Sequence, residues 1–274
     1  MDSGADRMQG ELMQMRVNGW CVVKNVVPED RVAAVRERVM DAVHRHANAE
    51  TLEDKGIGHV SGFVAREQSF APYLADSRVM GVVEGLLGKH VRISFTTATV
   101  NFPGNPRGGW HADWPFNQKN AGHIPAPYPD AAMHVTTLWM LSPFSERNGG
   151  TLILPGSHRS DNNPSGDNGF DPLGEIPGEC NAVGEAGSVL MLDSRLWHAT
   201  APNHSDEPRV SVVIRYAPWW LDTGVLMPGS EARERMLEAT GLNSPEVPPV
   251  PQEVYDSMHE SVKPLFRHWV RAGD

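Results

Sequence analysis

Two histidines, one aspartate and one arginine are the residues of this chain whose types and spacing can do chemistry. His111 and Asp113 stand two apart in Gly108-Gly109-Trp110-His111-Ala112-Asp113-Trp114. On an extended segment alternate side chains leave the same face, so the imidazole and the carboxylate can close on one ion. His198, in Asp193-Ser194-Arg195-Leu196-Trp197-His198-Ala199-Thr200, can supply a third ligand. Two imidazoles and one carboxylate on one face of an octahedron leave three positions open, which suits ferrous iron that must bind a co-substrate and oxygen together. Arg209 follows His198 by eleven residues. A guanidinium there can hold a carboxylate by two parallel hydrogen bonds, as an ammonium cannot.

The elements that must position these residues are mostly strands. Val91 to Asn101 is rich in β-branched residues and stops at Pro103-Gly104, leading directly into the His-x-Asp segment. Met133 to Leu141, Thr151 to Leu154, Ser188 to Asp193 and Arg209 to Ala217 read as further strands. In the last, Arg209, Ser211, Val213 and Arg215 share one face. Asn148-Gly149 between β-rich runs signals a hairpin. Two long loops are expected, Asn117 to Pro129 as a lid or substrate wall and residues 156 to 182 at the surface. Before this block lie a helix near Asp6 to Val17, a strand over Gly19 to Val27, and a helix opened by Pro28-Glu29-Asp30 whose stripe is Val32, Val35, Val39 and Val43. Residues 51 to 65 show little periodicity. Asp76 caps a second helix that Gly88 ends, and helical segments return after Trp220.

Composition bounds the rest. A chain of 274 residues fits one large domain or two small ones, with room for a substantial core, and 40% hydrophobic with 21% charged residues is ordinary for a globular protein. The expected organisation is a single unit, with a helical buttress over about 1–90, a β core over about 91–220 and a helical end over about 221–274. A formal net charge of −10 argues against a nucleic-acid partner and slightly against a highly anionic substrate. The two cysteines, Cys21 and Cys180, fit no metal-ligand spacing and read as reduced thiols. The polar, acidic start and the lack of a long apolar run point to a cytoplasmic protein without a membrane segment. Composition is silent on monomer against homo-oligomer.

At His111-x-Asp113, at Asn148-Gly149-Gly150-Thr151 running into Leu154-Pro155-Gly156-Ser157-His158, at His198 and at Arg209-x-Ser211, the chain resembles the phytanoyl-CoA dioxygenase family of non-haem iron, 2-oxoglutarate-dependent oxygenases. The matching pieces come in the family's order over roughly residues 92 to 218. The resemblance implies a mainly β fold with flanking helices, a double-stranded β-helix or jelly roll of the cupin type. It implies Fe(II), 2-oxoglutarate and O2 as cofactor and co-substrates, with succinate and carbon dioxide released as a small-molecule substrate is hydroxylated. His111, Asp113 and His198 would be the metal ligands. Arg209 and Ser211 would hold the distant carboxylate of 2-oxoglutarate, with Thr200, Trp139 and Thr99 beside it. Trp114, Phe116, Asn117 and Arg215 are expected on the substrate side. Ala112 stands where family members often carry glutamine, so the contact that glutamine makes is missing here. An intact carboxylate at Asp113 implies hydroxylation, or another outcome of hydrogen abstraction, rather than chlorination.

Each assignment has a plainer rival. His111 and Asp113 could be a hydrogen-bonded pair at a strand end, His123 and His204 compete with His198, and Arg215 competes with Arg209. His134 and His158 read as structural or surface residues, and Trp139 as packing. At the level of function the competitors are a metal-binding jelly roll without catalysis, which would dispense with Arg209, and a cupin-type metalloenzyme that does not use 2-oxoglutarate.

Overall fold

The computed structural model describes residues 4–114, 127–162, 164, 169–240 and 246–271. Helix α1 (Gly4–Asn18) runs into strand β1 (Trp20–Val23), and helices α2 (Glu29–His46) and α3 (Ala49–Lys55) lead to strand β2 (Ile57–Ser61). Helix α4 (Ser77–Leu87) precedes strands β3 (Arg92–Asn101), β4 (Val135–Met140), β5 (Leu152–Ile153), β6 (Cys180–Asn181), β7 (Val189–Asp193), β8 (His198–Ala199) and β9 (Arg209–Ala217). Helices α5 (Glu231–Thr240), α6 (Gln252–Ser257) and α7 (Lys263–Phe266) close the chain. Among the described residues no helix is long and apolar enough to cross a membrane.

The strands form two sheets, one of six in the order β1-β7-β4-β9-β3-β2 and one of three in the order β6-β5-β8, and every pairing within them is antiparallel. Side-chain alternation divides the large sheet between two duties. Val210, Val212, Ile214 and Tyr216 of β9 join the main core with Ala98 and Val100 of β3 and Val189 and Met191 of β7. That face is covered by Leu12 and Met15 of α1, by the α2 stripe Val32, Val35, Val39 and Val43, and by Val79, Val82 and Val83 of α4. Burying each such side chain is worth about 1.5–3 kcal/mol, so the helical layer fixes which face of every strand is left for chemistry. The opposite face meets the small sheet. At one end Leu138, Met140, Leu190, Leu192 and Ile153 pack together. At the other end the inward residues are polar and the sheets part around a cavity.

The helices begin and end where local chemistry requires. Asp76 accepts a hydrogen bond from the Arg78 amide at the start of α4, and Gly88 ends it at φ 79°, a positive value that glycine adopts without strain. Two expectations are corrected. Residues 51 to 65 carry α3 and the edge strand β2, which pairs with β3 in full register from Ile57 opposite Asn101 to Ser61 opposite Thr97. Gly58 breaks the strand signal there because a Cβ at that position would lie 2.6 Å from Val43 Cγ1. Asn148-Gly149 does turn the chain, but not as a hairpin, for β4 belongs to the large sheet and β5 to the small one. Asn148 serves the turn through its side chain, accepting from the Ser145 amide and donating to the Pro143 carbonyl. The loop expected between 117 and 129 lies largely outside the described residues.

Candidate metal centre

The chain holds the ligand segment in place before any ion arrives. Arg107 clamps Glu179 with both amines, at 2.9 and 2.8 Å, and donates to the Gly174 carbonyl. Trp110 donates its amide to Pro172 and its indole N–H to Gly174. Gly108 lies so close to β8 that a Cβ would meet Thr200 Cβ at 3.0 Å, which is why this run begins with glycine. His111 and His198 then exchange both backbone hydrogen bonds, at 2.9 and 2.8 Å, and the Asp113 amide donates to the Ser194 carbonyl. Two segments far apart in sequence thus face each other across an antiparallel bridge.

This pairing brings the three candidate ligands together. Their ligand atoms all lie within 4.8 Å of one another, the one such cluster of His, Cys, Asp and Glu among the described residues. His198 Nε2 is 3.6 Å from Asp113 Oδ2, and His111 Nε2 is 4.0 Å from Asp113 Oδ1. A facial octahedral set with bonds of about 2.1 Å spaces its donors about 3 Å apart, so closure by on the order of 1 Å completes it. The donor chemistry fits a divalent metal. His111 Nδ1 faces the Gly109 carbonyl at 3.0 Å and His198 Nδ1 faces the Leu196 carbonyl at 2.9 Å. A ring that donates from Nδ1 presents the lone pair of Nε2, so both tautomers are set by the backbone. Burial and the neighbouring His111 lower His198 to about 4, leaving a neutral imidazole.

Asp113 is held at both oxygens. Oδ1 accepts from Arg215 Nη2 at 2.6 Å and Oδ2 from the Thr136 hydroxyl at 2.8 Å. Burial alone would push this carboxyl up, but Arg215, the two imidazoles and Thr136 outweigh it and hold the group well below the usual carboxylate range. Behind Thr136 runs a buried chain of Ser194, His134 and Ser94, with contacts of 2.8, 2.9 and 2.7 Å. His134 is therefore interior, and burial lowers it to about 3.

The triad opens onto a cavity of about 370 Å³ whose lining includes His59, Phe95, Thr97, Thr99, Leu138, Thr151, Thr200, Arg209 and Arg215. Arg209 is 2% exposed. It donates to Asn101 Oδ1 and, at 3.4 Å, to Thr151 Oγ1, and its guanidinium lies 4.4 Å from the centre of the Phe144 ring. Among the described residues no carboxylate pairs with it, and burial lowers it to about 9. A larger groove of about 740 Å³ beside α2 holds no such metal-ligand cluster.

The remaining expected residues divide. Thr99, Thr200 and Arg215 line the cavity. Ser211 leaves the same strand face as Arg209 but gives its hydroxyl to the Thr99 carbonyl at 3.2 Å. Trp139 is a correction, since it is buried on the helix-facing side of the sheet, donating to Thr137, and its neighbour Leu138 reaches the cavity instead. Trp114 is a second correction, buried against Tyr128 and absent from the lining. Phe116 and Asn117, and the rival His123, lie outside the described residues, while His204 is exposed. His59 and Ser61 went unnoticed because β2 itself did, although His59-Val60-Ser61 alternates as a strand does. His59 Nδ1 meets the Thr99 hydroxyl at 3.1 Å.

A family profile described as phytanoyl-CoA dioxygenase matches residues 15–211. The uncharacterized protein Rv1501 of Mycobacterium tuberculosis is 26% identical over 205 residues, 71% of this chain and 69% of its own. Among solved structures, the epimerase SnoN in complex with Fe3+, alpha ketoglutarate and nogalamycin RO superposes with a TM-score of 0.64 at 18% identity, over 82% of this chain and 91% of that one. EctD from S. alaskensis with 2-oxoglutarate and 5-hydroxyectoine gives 0.60 at 18%, over 76% and 75%. These likenesses establish the jelly-roll fold, here with an open large sheet.

Proposed function

The chain belongs to the phytanoyl-CoA dioxygenase family of iron(II)- and 2-oxoglutarate-dependent enzymes, and on that premise we propose that His111, Asp113 and His198 hold the iron while Arg209 receives the far carboxylate of 2-oxoglutarate. The observation that carries this reading is the buried guanidinium of Arg209, without a carboxylate partner among the described residues, on the wall of the cavity that the triad enters. A charge taken from water without a counter-charge is costly, and a dianionic co-substrate supplies what burial removed. A non-catalytic metal site has no use for such a residue, and succinate formation separates this reading from a cupin that ignores 2-oxoglutarate.

When bound, the iron and 2-oxoglutarate supply the oxidising chemistry, converting O2 and the keto acid into succinate, carbon dioxide and one oxygen atom delivered to substrate. The protein's share is geometric and electrostatic. The Gly109 and Leu196 carbonyls aim the two Nε2 lone pairs. Thr136 and Arg215 keep Asp113 ionised and oriented. Thr99 and Thr200 flank the co-substrate, and Ser211 stiffens the strand beneath Arg209. The substrate is a small molecule entering past Arg215, and hydroxylation or a related hydrogen-abstraction outcome follows from the retained carboxylate.

The test is succinate formed from 2-oxoglutarate with added ferrous iron. Slow production without substrate, lost in His111→Ala and in Arg209→Ala, supports the reading. Production that survives Arg209→Ala would overturn the role of that residue, and none in the wild-type protein would overturn the whole.

A further inference from the structure

Charge in the cavity limits what the third occupant can be. Among the described lining residues Asp113 is the one acid, against the two guanidinium groups of Arg209 and Arg215. A divalent metal adds two positive charges and 2-oxoglutarate removes two, so the loaded cavity keeps one positive charge. Arg209 is spent on the co-substrate in the reading above, which leaves the surplus with Arg215.

Arg215 is built to offer it. Its side chain is 22% exposed and gives Nη2 to Asp113 Oδ1, while no hydrogen bond from Nη1 is formed among the described residues. The guanidinium lies 4.3 Å from the centre of the Phe95 ring, a stacking that fixes its plane and leaves an edge free for a planar or tetrahedral oxyanion. Beside it the lining is apolar, with Phe95, Leu138 and Val213. The overall charge of −10 does not oppose this, since exposed charges are screened beyond roughly 8 Å at physiological salt.

From this we infer that the substrate is a small organic anion, a carboxylate or a phosphate monoester with an apolar body, whose acidic group is received by Arg215. The inference rests on the oxygenase reading and narrows it from a small molecule to an acid.

The experiment is succinate production by the iron-loaded enzyme across a library of small compounds sorted into carboxylates, phosphate monoesters, neutral amides and alcohols, and amines. Binding of 2-oxoglutarate by calorimetry and the substrate-free background are measured first. If these are missing, the oxygenase reading fails and the charge inference falls with it. With them present, stimulation concentrated among the acids is expected, and the two acid arms show which oxyanion is preferred. Stimulation led by amines or neutral compounds overturns the inference, as does a library in which no acid stimulates.

For an acid that stimulates, its methyl ester and the variant Arg215→Gln should each lower kcat/KM about 10- to 100-fold, the range for a hydrogen bond to a charged group. Combining ester and variant should cost little more than either alone, and Arg215→Lys should recover part of the loss. Losses that multiply would mean Arg215 acts only through Asp113, and would overturn its contact with substrate. Calorimetric titration of the same acid into the protein loaded with zinc and 2-oxoglutarate gives the comparison without turnover.

Discussion

The two ends of β9 pose one electrostatic problem and solve it differently. Arg209 and Arg215 leave the same strand face, separated by about 20 Å of backbone. Arg215 finds Asp113 and keeps an edge open to the cavity. Arg209 is almost wholly buried and, among the described residues, meets an amide oxygen, a hydroxyl and an aromatic ring. One cation has a counter-charge in the protein and an edge to spare, whereas the other has no carboxylate partner among the described residues. A guanidinium with an internal partner can position that partner and still offer an edge to substrate, whereas a buried one without a counter-charge is suited to an anionic ligand.

The sharpest way to break this contrast is to remove the protein's own counter-charge. Asp113→Ala should abolish metal binding in a calorimetric titration and lower the stability of the metal-free protein by about 3 kcal/mol, the lower end for orphaning a buried partner because Arg215 keeps some water. Unchanged stability would mean that the pair with Arg215 has no structural weight. At the other end the expected sign reverses. Arg209→Met should weaken 2-oxoglutarate binding by about 2–5 kcal/mol, the cost of truncating one partner of a buried charge pair. Without ligand the same variant loses the bonds to Asn101 and Thr151 but also an uncompensated charge, so its stability should not fall. A fall of more than about 1 kcal/mol in a denaturant midpoint would show that the protein already balances Arg209. Thr136→Val is milder. It removes the hydroxyl on Asp113 Oδ2, an outer-shell bond whose loss should weaken metal affinity by about tenfold, with 2-oxoglutarate affinity in the metal-loaded protein changed less.

How much of this was legible in the sequence depends on how strongly each strand face was marked. β9 was legible in full because its charged residues alternate with Val210, Val212, Ile214 and Tyr216. The His-x-Asp segment and His198 could be singled out by residue type, spacing and family resemblance. Trp139 was misplaced because all six residues of β4 are buried, so no polar alternation tells which side meets the cavity. β2 and its His59 were hidden by Gly58 and by an edge position that needs only half of a strand's usual pattern. The bond between Arg215 and Asp113 joins residues 102 apart in the chain, and only register across the sheets brings them together. His134 lies equally deep, since its serine partners are 40 and 60 residues away.

The smallest expected effect separates the two ends by pH. Burial lowers Arg209 from 12.5 to about 9, whereas in the unfolded chain the group keeps its proton to the usual value. Between those values the unfolded state binds more protons than the folded, ligand-free state, so the contribution of Arg209 makes stability rise with pH. Below pH 9 that contribution is flat, with the charge buried at full cost. Bound 2-oxoglutarate holds the proton on the guanidinium and removes the rise. The stabilisation that the ligand confers, read as a shift in thermal midpoint at fixed ligand and metal concentration, should therefore be constant from pH 7 to 8 and shrink above about 9. Arg209→Met, with nothing to titrate at that position, supplies the baseline on which other high-pH losses appear. A ligand-free stability whose pH dependence is the same in both proteins would place the proton elsewhere.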